Sequence, residues 1–406
     1  MMNVKKKIIC ITLILTMMLG LAGCGENKHS DKLVLALREG TYSEVIKACL
    51  GDFEQAHGIT CEVVELSEDD LHSYILNDSV RSKGSYDLCM VDGSWVSEYV
   101  AEEVLADLGA LGYSLDDDII PATTTICIQN GKTYIVPFYG NVTVMMYNKK
   151  TADELGYKTE DFTSLDALKD FCEDSKNAGR GGFTLRGDTE NNIVVDFLPV
   201  LCAFGGWVVD ENNNPTVDTP EFKKAMEYYM ELSKTGASYP KDKLITSIED
   251  GTAACAVGWP GWYDADNAKE SEYIAFPGKI SEGSDKHNSN IYGIWTLGIP
   301  ANSTNKSLSC ELLKYLMDKD VQKKTIEYGG VPCRYSSLTD PDIVAENPHF
   351  SVICTALENG VYRPVIREWS RFYTILGNQM RSIMMGEVSL EDGLILAQGE
   401  LEALMK

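Results

Sequence analysis

The sequence has little positive charge for its length. Its 406 residues include 36 Lys and Arg against 61 Asp and Glu, which gives a formal net charge of −25. A nucleic-acid binder needs clustered cations that displace counterions from phosphates, and a protein lying on anionic lipid needs a basic surface. The charge balance therefore argues against a nucleic-acid partner and against a body held to a membrane by a basic face.

Histidine is also rare, and the common catalytic motifs are missing. The five His are scattered among polar residues and form no HxH, HExxH or Cys–His arrangement. No GxGxxG follows a strand pattern and no GxxxxGK[ST] occurs, so nucleotide binding has no support. We therefore expect no catalytic residue, no metal ion and no cofactor. A carboxylate pair of the glycosidase kind stays open, since acids are abundant.

Cysteine is present, but not in spacings that bind zinc. None of the 12 Cys forms a CxxC pair, and several lie in apolar runs, among them Cys89, Cys127 and Cys202. A free buried Cys behaves as a small hydrophobic residue. We expect mostly free, buried thiols.

Long apolar runs are missing after the N-terminus. Residues 8–22 form a mostly apolar stretch behind Lys5–Lys7, too short for a comfortable bilayer span, and it closes in small residues before Cys24. This pattern predicts a signal peptide over 1–23. It resembles the bacterial lipobox, which implies lipid (palmitate) attachment at Cys24 and a polar tether over 24–32. A plain signal peptide or a short membrane anchor is the alternative.

The next hundred residues alternate between strand and helix patterns. Residues 33–37 are a continuous apolar run, 45–53 have helical spacing, and 60–66 and 88–91 are strand-like, with a helix predicted over 70–81. Such a βαβ unit predicts a parallel sheet with a right-handed connection. In open α/β sheets ligands bind beyond the carboxyl ends of the strands.

Two polar and aromatic clusters follow these strands. They are Arg38–Tyr42, after the first strand, and Asp92–Trp95, after the strand at 88–91. The topology alone places both clusters at the same edge of the sheet. This edge is our first candidate for a binding site.

The remaining patterns predict more helices and one hairpin. A hairpin is predicted over 123–138 around Asn130-Gly131, and helices at Thr219, over 308–317 and through 369–406. No Pro/Gly-rich linker separates two continuous domains. Two lobes joined by several chain crossings would explain that absence.

One acidic stretch has the spacing of a calcium loop. Its oxygen-bearing residues are Asp210, Asn212, Asn214, Asp218 and Glu221. Pro215 stands where such a loop needs Gly. A polar hairpin tip is the preferred interpretation.

The aromatic residues indicate a different chemistry. Residues 259–263, Trp-Pro-Gly-Trp-Tyr, place three rings in five positions. Sugars expose flat C–H faces that stack on rings, and hydroxyl groups that bond to polar side chains. The segment is either a binding platform for such a ligand or a plug in the core.

Several segments resemble one known family along nearly the whole chain. In order they are SYDLCMVDGSWVSEYVAEEVLADLGAL (85–111), GKTYIVPFYGNVTVMMYNKKTADELGY (131–157), CAFGGWVVDENNNPTVDTPEFKKAM (202–226), IEDGTAACAVGWPGW (248–262), IYGIWTLGIPANSTNKSLSCELLKYL (291–316) and ENPHFSVICTALENGVYRPVIREW (346–369). Their order and spacing resemble the family 1 extracellular solute-binding lipoproteins of ABC sugar importers. FYGNV and TLRGD look most like the maltose, trehalose and polyol binders among them.

The resemblance implies an α/β, two-lobed fold of the periplasmic-binding-protein type II class, with a hinge and a ligand cleft between the lobes. It assigns 33–140 plus 295–325 to lobe 1, and 141–294 plus 326–406 to lobe 2. The implied ligand-binding residues are Glu39, Tyr42, Asp92, Trp95, Tyr139, Asn141, Arg186, Trp259, Trp262, Tyr263, Trp295 and Tyr373. Trp295 falls near a GGW position of the family, with Ile294 in place of the second Gly.

The resemblance also implies a function without catalysis. A monomeric cell-surface lipoprotein would capture a small-molecule carbohydrate and hand it to ABC transporter permease subunits, touching the membrane only through Cys24. Gly25 after that Cys favours a Gram-positive surface. The alternatives are a secreted carbohydrate-active enzyme and a binding protein that feeds a sensor kinase.

Overall fold

The computed structural model describes residues 31–263 and 270–406; the predicted signal peptide, Cys24 and the tether up to residue 30 lie outside them. The strands are β1 (Lys32–Arg38), β2 (Thr60–Leu66), β3 (Leu88–Asp92), β4 (Ile128–Gln129), β5 (Lys132–Thr133), β6 (Ile135–Tyr139), β7 (Val144–Asn148), β8 (Gly181–Thr184), β9 (Ala253–Gly258), β10 (Ser271–Ile274), β11 (Ile291–Tyr292), β12 (Trp295–Gly298) and β13 (Val361–Tyr362).

The helices complete the described elements. They are α1 (Thr41–His57), α2 (Glu68–Ser79), α3 (Val96–Ala101), α4 (Lys149–Leu155), α5 (Leu165–Asn177), α6 (Glu190–Ala203), α7 (Pro220–Ser233), α8 (Lys241–Glu249), α9 (Lys306–Leu316), α10 (Lys319–Ile326), α11 (Tyr335–Leu338), α12 (Pro341–Glu346), α13 (Phe350–Glu358), α14 (Trp369–Met384) and α15 (Leu390–Leu404). No helix in the described ranges is both long and apolar enough to cross a membrane.

The N-terminal βαβ unit forms as predicted. Strand β1 pairs in parallel with β2, from Lys32 opposite Thr60 to Arg38 opposite Leu66. Helix α1 buries the apolar face that its spacing predicts and ends at Gly58, whose φ of 64° suits a residue without a side chain. Every apolar side chain of the run at 33–37 is buried or nearly so, because the helices cover the sheet.

Two separate sheets organise the rest of the chain. The first has the order β2-β1-β3-β12-β6, in which β12 is antiparallel to both neighbours. The second has the order β10-β7-β9-β8. Since β12 follows β10 in sequence but lies in the first sheet, the chain leaves the first sheet after β6 and returns at β12. The predicted α/β fold with interleaved lobes is confirmed.

The crossing segments between the sheets are bonded to one another. Strand β6 ends at Tyr139 and β7 begins at Val144 in the other sheet. The amide of Gly293, just before β12, donates to the carbonyl of Asn141 at 2.9 Å. Strand β11 also pairs in parallel with β13, which brings a third segment to the same place.

Two hydrophobic clusters divide the core. One contains the buried side chains of the first sheet and of the segment 331–357, together with some from β7, β9 and β10 of the second sheet. The other contains buried faces of α5, α6, α7, α14 and α15. Hydrogen bonds connect this segment to the end of β6 and to the residues before β4, because the amides of Gly140 and Ile120 donate to the carbonyls of Val331 and Cys333. The sequence prediction places this segment in lobe 2, which it begins at residue 326.

The predicted hairpin over 123–138 is wrong in its extent. Asn130 and Gly131 do form a turn, with φ of 52° and 75°. Only β4 and β5 pair across it, while β6 joins the first sheet. Residues 121–124 form a short 3-10 helix, because Pro121 begins a helical turn. The turn could be predicted because its residues are adjacent in sequence, whereas the strand that pairs with β6 is distant in sequence and could not be predicted.

The stretch at 210–214 forms a polar turn. The Asp210 carboxylate accepts hydrogen bonds from the amides of Asn212 and Asn214, each at 2.8 Å, and from the Asn214 side chain. Among the described residues no group of three or more His, Cys, Asp or Glu is placed to hold a metal ion. All ten described Cys are free, and nine of them are buried.

Candidate functional site

A cavity of about 570 Å³ lies between the two sheets. Its wall on one side comes from residues that follow β1, β2 and β3, and on the other from the segment around α6 and from the end of β9. Crossing residues Asn141 and Gly293 also line it. The cavity therefore lies at the strand edge that the topology indicated.

The carboxyl ends of the three parallel strands supply one wall. Arg38 ends β1, Glu68 follows β2, and Asp92 ends β3. Tyr42, in the first turn of α1, adds a ring, and burial raises the pKa of its hydroxyl to about 12, so that the group stays protonated at physiological pH. Adjacent parallel strands bring these side chains together.

Asp92 is held by a buried arginine. Its two carboxylate oxygens each accept a hydrogen bond from Nη2 of Arg363, at 2.6 Å, and Oδ1 also accepts from the amide and hydroxyl of Ser94. Nε of Arg363 donates to the carbonyl of Tyr292 at 3.2 Å. Most of the acceptor capacity of Asp92 is therefore used within the protein.

The opposite wall contains a second buried pair of the same kind. Arg186 donates through Nε to Asp196 at 3.0 Å and again through Nη2. Its guanidinium lies 5.2 Å from the Trp262 ring centroid and 5.8 Å from that of Trp259. Arg186 thus covers part of the aromatic platform that the sequence predicts.

Several buried polar atoms of the lining have no partner among the described residues. They are Nε1 of Trp259, Oδ1 of Asn141, Nε of Arg38 and Oδ1 of Asn191. Buried polar groups are nearly always hydrogen-bonded in native proteins. Unpaired donors and acceptors in the wall of one cavity are therefore suited to a polar ligand.

Gly293 lets Trp259 approach the backbone. A Cβ on this residue would lie 2.7 Å from the Trp259 ring and 3.4 Å from Nδ2 of Asn141. Any other side chain would push the indole from its place. The glycine therefore sets the position of two cavity groups.

Eight of the twelve predicted site residues come together in this cavity. They are Tyr42, Asp92, Asn141, Arg186, Trp259, Trp262, Trp295 and Tyr373. Their grouping agrees with the predicted location of the site, while their contact with a ligand stays a prediction.

The other four predicted residues do not line it. Glu39 is exposed and pairs with Arg38. Tyr139 is buried behind Tyr42 and donates to the carbonyl of Gly329 at 2.8 Å. Tyr263 stacks on His349, with ring centroids 3.8 Å apart, and Trp95 lines a neighbouring cavity.

The sequence reasoning missed several lining residues. Glu68 and Asp69 follow β2, so the argument applied to β1 and β3 would have found them. Burial and, next, the Asp92 carboxylate raise the pKa of Glu68, whose Oε1 accepts from Asn191 at 3.3 Å. Residues 188–192 and Lys241 also line the cavity. No local pattern marked these, because the fold of the second sheet places them.

Comparison with known proteins gives a family and close structural matches. A family model described as bacterial extracellular solute-binding protein matches residues 48–352. A probable amino-acid ABC transporter periplasmic-binding protein of Sinorhizobium fredii is 23% identical, over 93% of this chain and 90% of its own. A mannitol-binding protein of Pseudomonas aeruginosa is 23% identical, over 87% and 88%.

Solved structures match the fold. The maltose-bound MalE3 of T. maritima has a TM-score of 0.80 at 22% identity, covering 92% of this chain and 99% of its own. An ABC transporter solute-binding protein of Agrobacterium radiobacter K84, in complex with ribitol, also has a TM-score of 0.80, at 24% identity and with 92% and 98% covered. These two proteins share the two-lobed architecture described above.

Proposed function

Since the chain belongs to the bacterial extracellular solute-binding proteins, we propose that it captures a sugar, oligosaccharide or polyol outside the cell and delivers it to the permease of an ABC transporter. One observation carries the choice of ligand. The cavity combines aromatic rings with buried donors and acceptors that have no partner within the described residues. A polyhydroxylated ligand supplies both C–H faces and hydroxyl groups.

Trp259 and Asn141 are the residues that we expect to contact the ligand most directly. The indole N–H of Trp259 can donate to a hydroxyl oxygen, and Oδ1 of Asn141 can accept from a hydroxyl. Both side chains are at most 7% exposed, so the ligand would replace no strong bond to bulk water. Leaving such groups unpaired costs about 1–3 kcal/mol each, which the ligand would recover.

Two of the four cations in the cavity lining are neutralised by buried carboxylates. Asp92 neutralises Arg363, and Asp196 neutralises Arg186, in both cases through hydrogen bonds inside the protein. An anionic sugar or an amino acid needs a cation for its carboxylate. These two arginines are therefore not free to hold a carboxylate, whereas Arg38 and Lys241 also line the cavity. The aromatic rings and the unpaired neutral polar atoms support a carbohydrate over the amino acid named for the Sinorhizobium relative.

Asp92 and Arg186 act on the ligand by positioning other groups. Asp92 fixes the guanidinium of Arg363, and Arg186 holds the Trp259 and Trp262 rings in place. The ligand-bound proteins that match this fold include maltose and ribitol complexes, and a relative is named for mannitol. These chemistries support the carbohydrate and polyol class.

Family membership confirms the prediction of a binding protein that is not an enzyme. The secreted carbohydrate-active enzyme is therefore set aside, while a partner sensor kinase is the alternative to a permease. We further propose that Cys24 carries the lipid anchor on the outer face of a Gram-positive membrane and that the protein is a monomer. We also propose that the segment 331–357 belongs to the first lobe, because the carbonyls of Val331 and Cys333 accept hydrogen bonds from the amides of Gly140 and Ile120.

A thermal-shift screen of the protein from residue 25 onward tests the ligand class. A ligand at 100 times its Kd stabilises the folded state by about 2.7 kcal/mol, so one carbohydrate or polyol should raise the melting temperature by several degrees. Glucose, maltose, mannitol and ribitol are the first probes, with glucuronate and a mixture of amino acids as charged controls. A shift with amino acids alone would overturn the carbohydrate assignment.

A further inference from the structure

The aromatic segment 259–263 extends from the cavity between the sheets into the core. Trp259 and Trp262 line the cavity, whereas the next residue, Tyr263, does not line it and stacks on His349. The two ring centroids are 3.8 Å apart and the ring planes meet at 22°. His349 directly precedes α13 and is 9% exposed. A histidine outside the cavity lining therefore contacts the segment that supplies two of the cavity rings.

We propose that His349 is a positioning residue of the ligand site, whose ring fixes Tyr263 and, through Tyr263, the direction in which Trp262 faces the ligand. This inference rests on the binding function proposed above, but it does not require that the ligand be a carbohydrate. His349 itself touches no ligand in this arrangement. Its replacement should therefore change the affinity without removing a ligand contact.

Residues 259–263 form one hydrogen-bonded turn. Within it, residues 260–262 are a 3-10 helix. The amide of Trp262 donates to the carbonyl of Trp259 at 3.0 Å, and the amide of Tyr263 donates to the carbonyl of Pro260 at 3.2 Å. Pro260 also fixes its own φ, which leaves the turn few free torsions. Because Trp262 belongs to both hydrogen-bonded loops, a displacement of Tyr263 is passed on to Trp262.

The turn is closely packed on its other sides. A Cβ on Gly261 would lie 2.5 Å from Oη of Tyr139, and that hydroxyl donates to the carbonyl of Gly329 at 2.8 Å. The Arg186 guanidinium lies 5.2 Å from the centroid of the Trp262 ring. The turn is therefore enclosed by groups that are themselves held, and the stack on His349 closes its C-terminal end.

Ring packing holds His349 in its place. The ring of Phe350 packs edge-on at 4.8 Å, and Tyr273 of β10 lies 6.1 Å away while also contacting Tyr263 at 5.6 Å, all between ring centroids. Nδ1 of His349 has no hydrogen-bond partner within the part of the chain that the structure describes. Since aromatic pairs stabilise through their faces and edges, Phe should reproduce the contacts of the imidazole.

Calorimetry on a small set of variants tests this inference. The probe is whichever of maltose, mannitol, ribitol or a single amino acid raises the melting temperature of the parent protein. His349→Ala removes the ring, His349→Phe restores one, and Tyr263→Ala removes the other member of the stack. His349→Leu, which keeps apolar volume without a ring, replaces His349→Ala if that variant does not fold. His57→Ala is the matched control, because His57 stacks on Phe53 with centroids 4.0 Å apart and lies outside the cavity lining.

We expect His349→Ala to weaken binding by about fivefold to tenfold. His349→Phe and the control His57→Ala should bind within about twofold of the parent protein. In a protein that already carries Tyr263→Ala, the change His349→Ala should cost no more than about twofold further, because His349 acts through Tyr263.

Unchanged binding in His349→Ala, additive losses in the double variant, or failure of His349→Phe to restore the affinity would each overturn the positioning role. If an amino acid is the only probe that binds and the expected pattern holds with it, the carbohydrate function falls while the positioning role stands. Absence of binding to every probe would overturn both.

Discussion

Asp92 and Arg363 are 271 positions apart in sequence, yet Nη2 of Arg363 lies 2.6 Å from each carboxylate oxygen of Asp92. Both side chains are at most 6% exposed. One partner ends a strand of the first sheet and the other follows β13 at the crossing segments. The pair therefore joins the cavity wall to the connection between the lobes.

Removing Asp92 should destabilise the protein as well as weaken binding. Asp92→Ala leaves the Arg363 guanidinium buried without its partner, which costs about 3–5 kcal/mol. Urea unfolding followed by circular dichroism measures this loss. The double variant Asp92→Leu with Arg363→Met removes both charges and should recover a large part of it. A loss below about 0.5 kcal/mol in Asp92→Ala would contradict the pairing.

Trp259→Phe should weaken ligand binding by about tenfold, because it removes the unpaired N–H together with part of the ring surface that lines the cavity. The matched control is Trp369→Phe. Trp369 is also buried with an unpaired Nε1, but it lies outside the cavity. Calorimetry on both variants separates the two roles. Equal effects would show that the loss is structural.

His349 should make stability depend on pH. Burial lowers the pKa of its imidazole from 6.5 to about 4. The imidazole therefore takes up a proton near pH 6.5 in the unfolded chain, but only near pH 4 in the folded protein. Its contribution to stability is complete above pH 6.5 and is lost as the pH falls from 6.5 to about 4. The loss reaches at most about 3 kcal/mol.

The variant His349→Phe isolates this contribution. The His349 ring faces the rings of Tyr263, Tyr273 and Phe350, so an aromatic replacement keeps the packing. Urea unfolding at pH 7 and at pH 4 should give a smaller difference in the variant than in the parent protein. Identical differences would show that carboxylates alone cause the acid sensitivity.

Thiol titration should find ten free cysteines in unfolded protein that lacks residues 1–24. The count should not change with prior reduction, and native protein should react far more slowly because nine of the ten are buried. Cys172 and Cys255 are the pair in which oxidation would be looked for first, since their Sγ atoms are 3.4 Å apart. A rise of two thiols after reduction would show that this pair, or another, is oxidised.

Local patterns were sufficient for most of the N-terminal half of the first sheet. The apolar run of β1, the helical spacing of α1 and the Gly58 stop each act within a few residues, and the structure has them as expected. The cavity edge also followed from topology, since strand ends meet on one side. These features could be predicted because each depends on neighbours in sequence.

Contacts between segments that are far apart in sequence could not be predicted from local patterns. Nothing near β6 indicates that its partner is β12, more than 150 residues later, and nothing near Arg186 indicates that Asp196 and two tryptophans surround it. The aromatic segment at 259–263 was recognised, but its division between cavity, core and a stack on His349 depends on packing across both sheets.

The bonded crossing segments have a mechanical consequence. Because the amide of Gly293 donates to the carbonyl of Asn141 and β11 pairs with β13, the connections between the lobes are hydrogen-bonded into one unit. A ligand contact close to this unit has a short lever arm and resists rotation of the lobes weakly, whereas the same contact farther away resists it more. Asn141 belongs to this unit, whereas the lining of the neighbouring cavity, which includes Trp95, contains none of its residues. A solute that extends away from Asn141 would therefore hold the two lobes together more firmly than one that stays beside it.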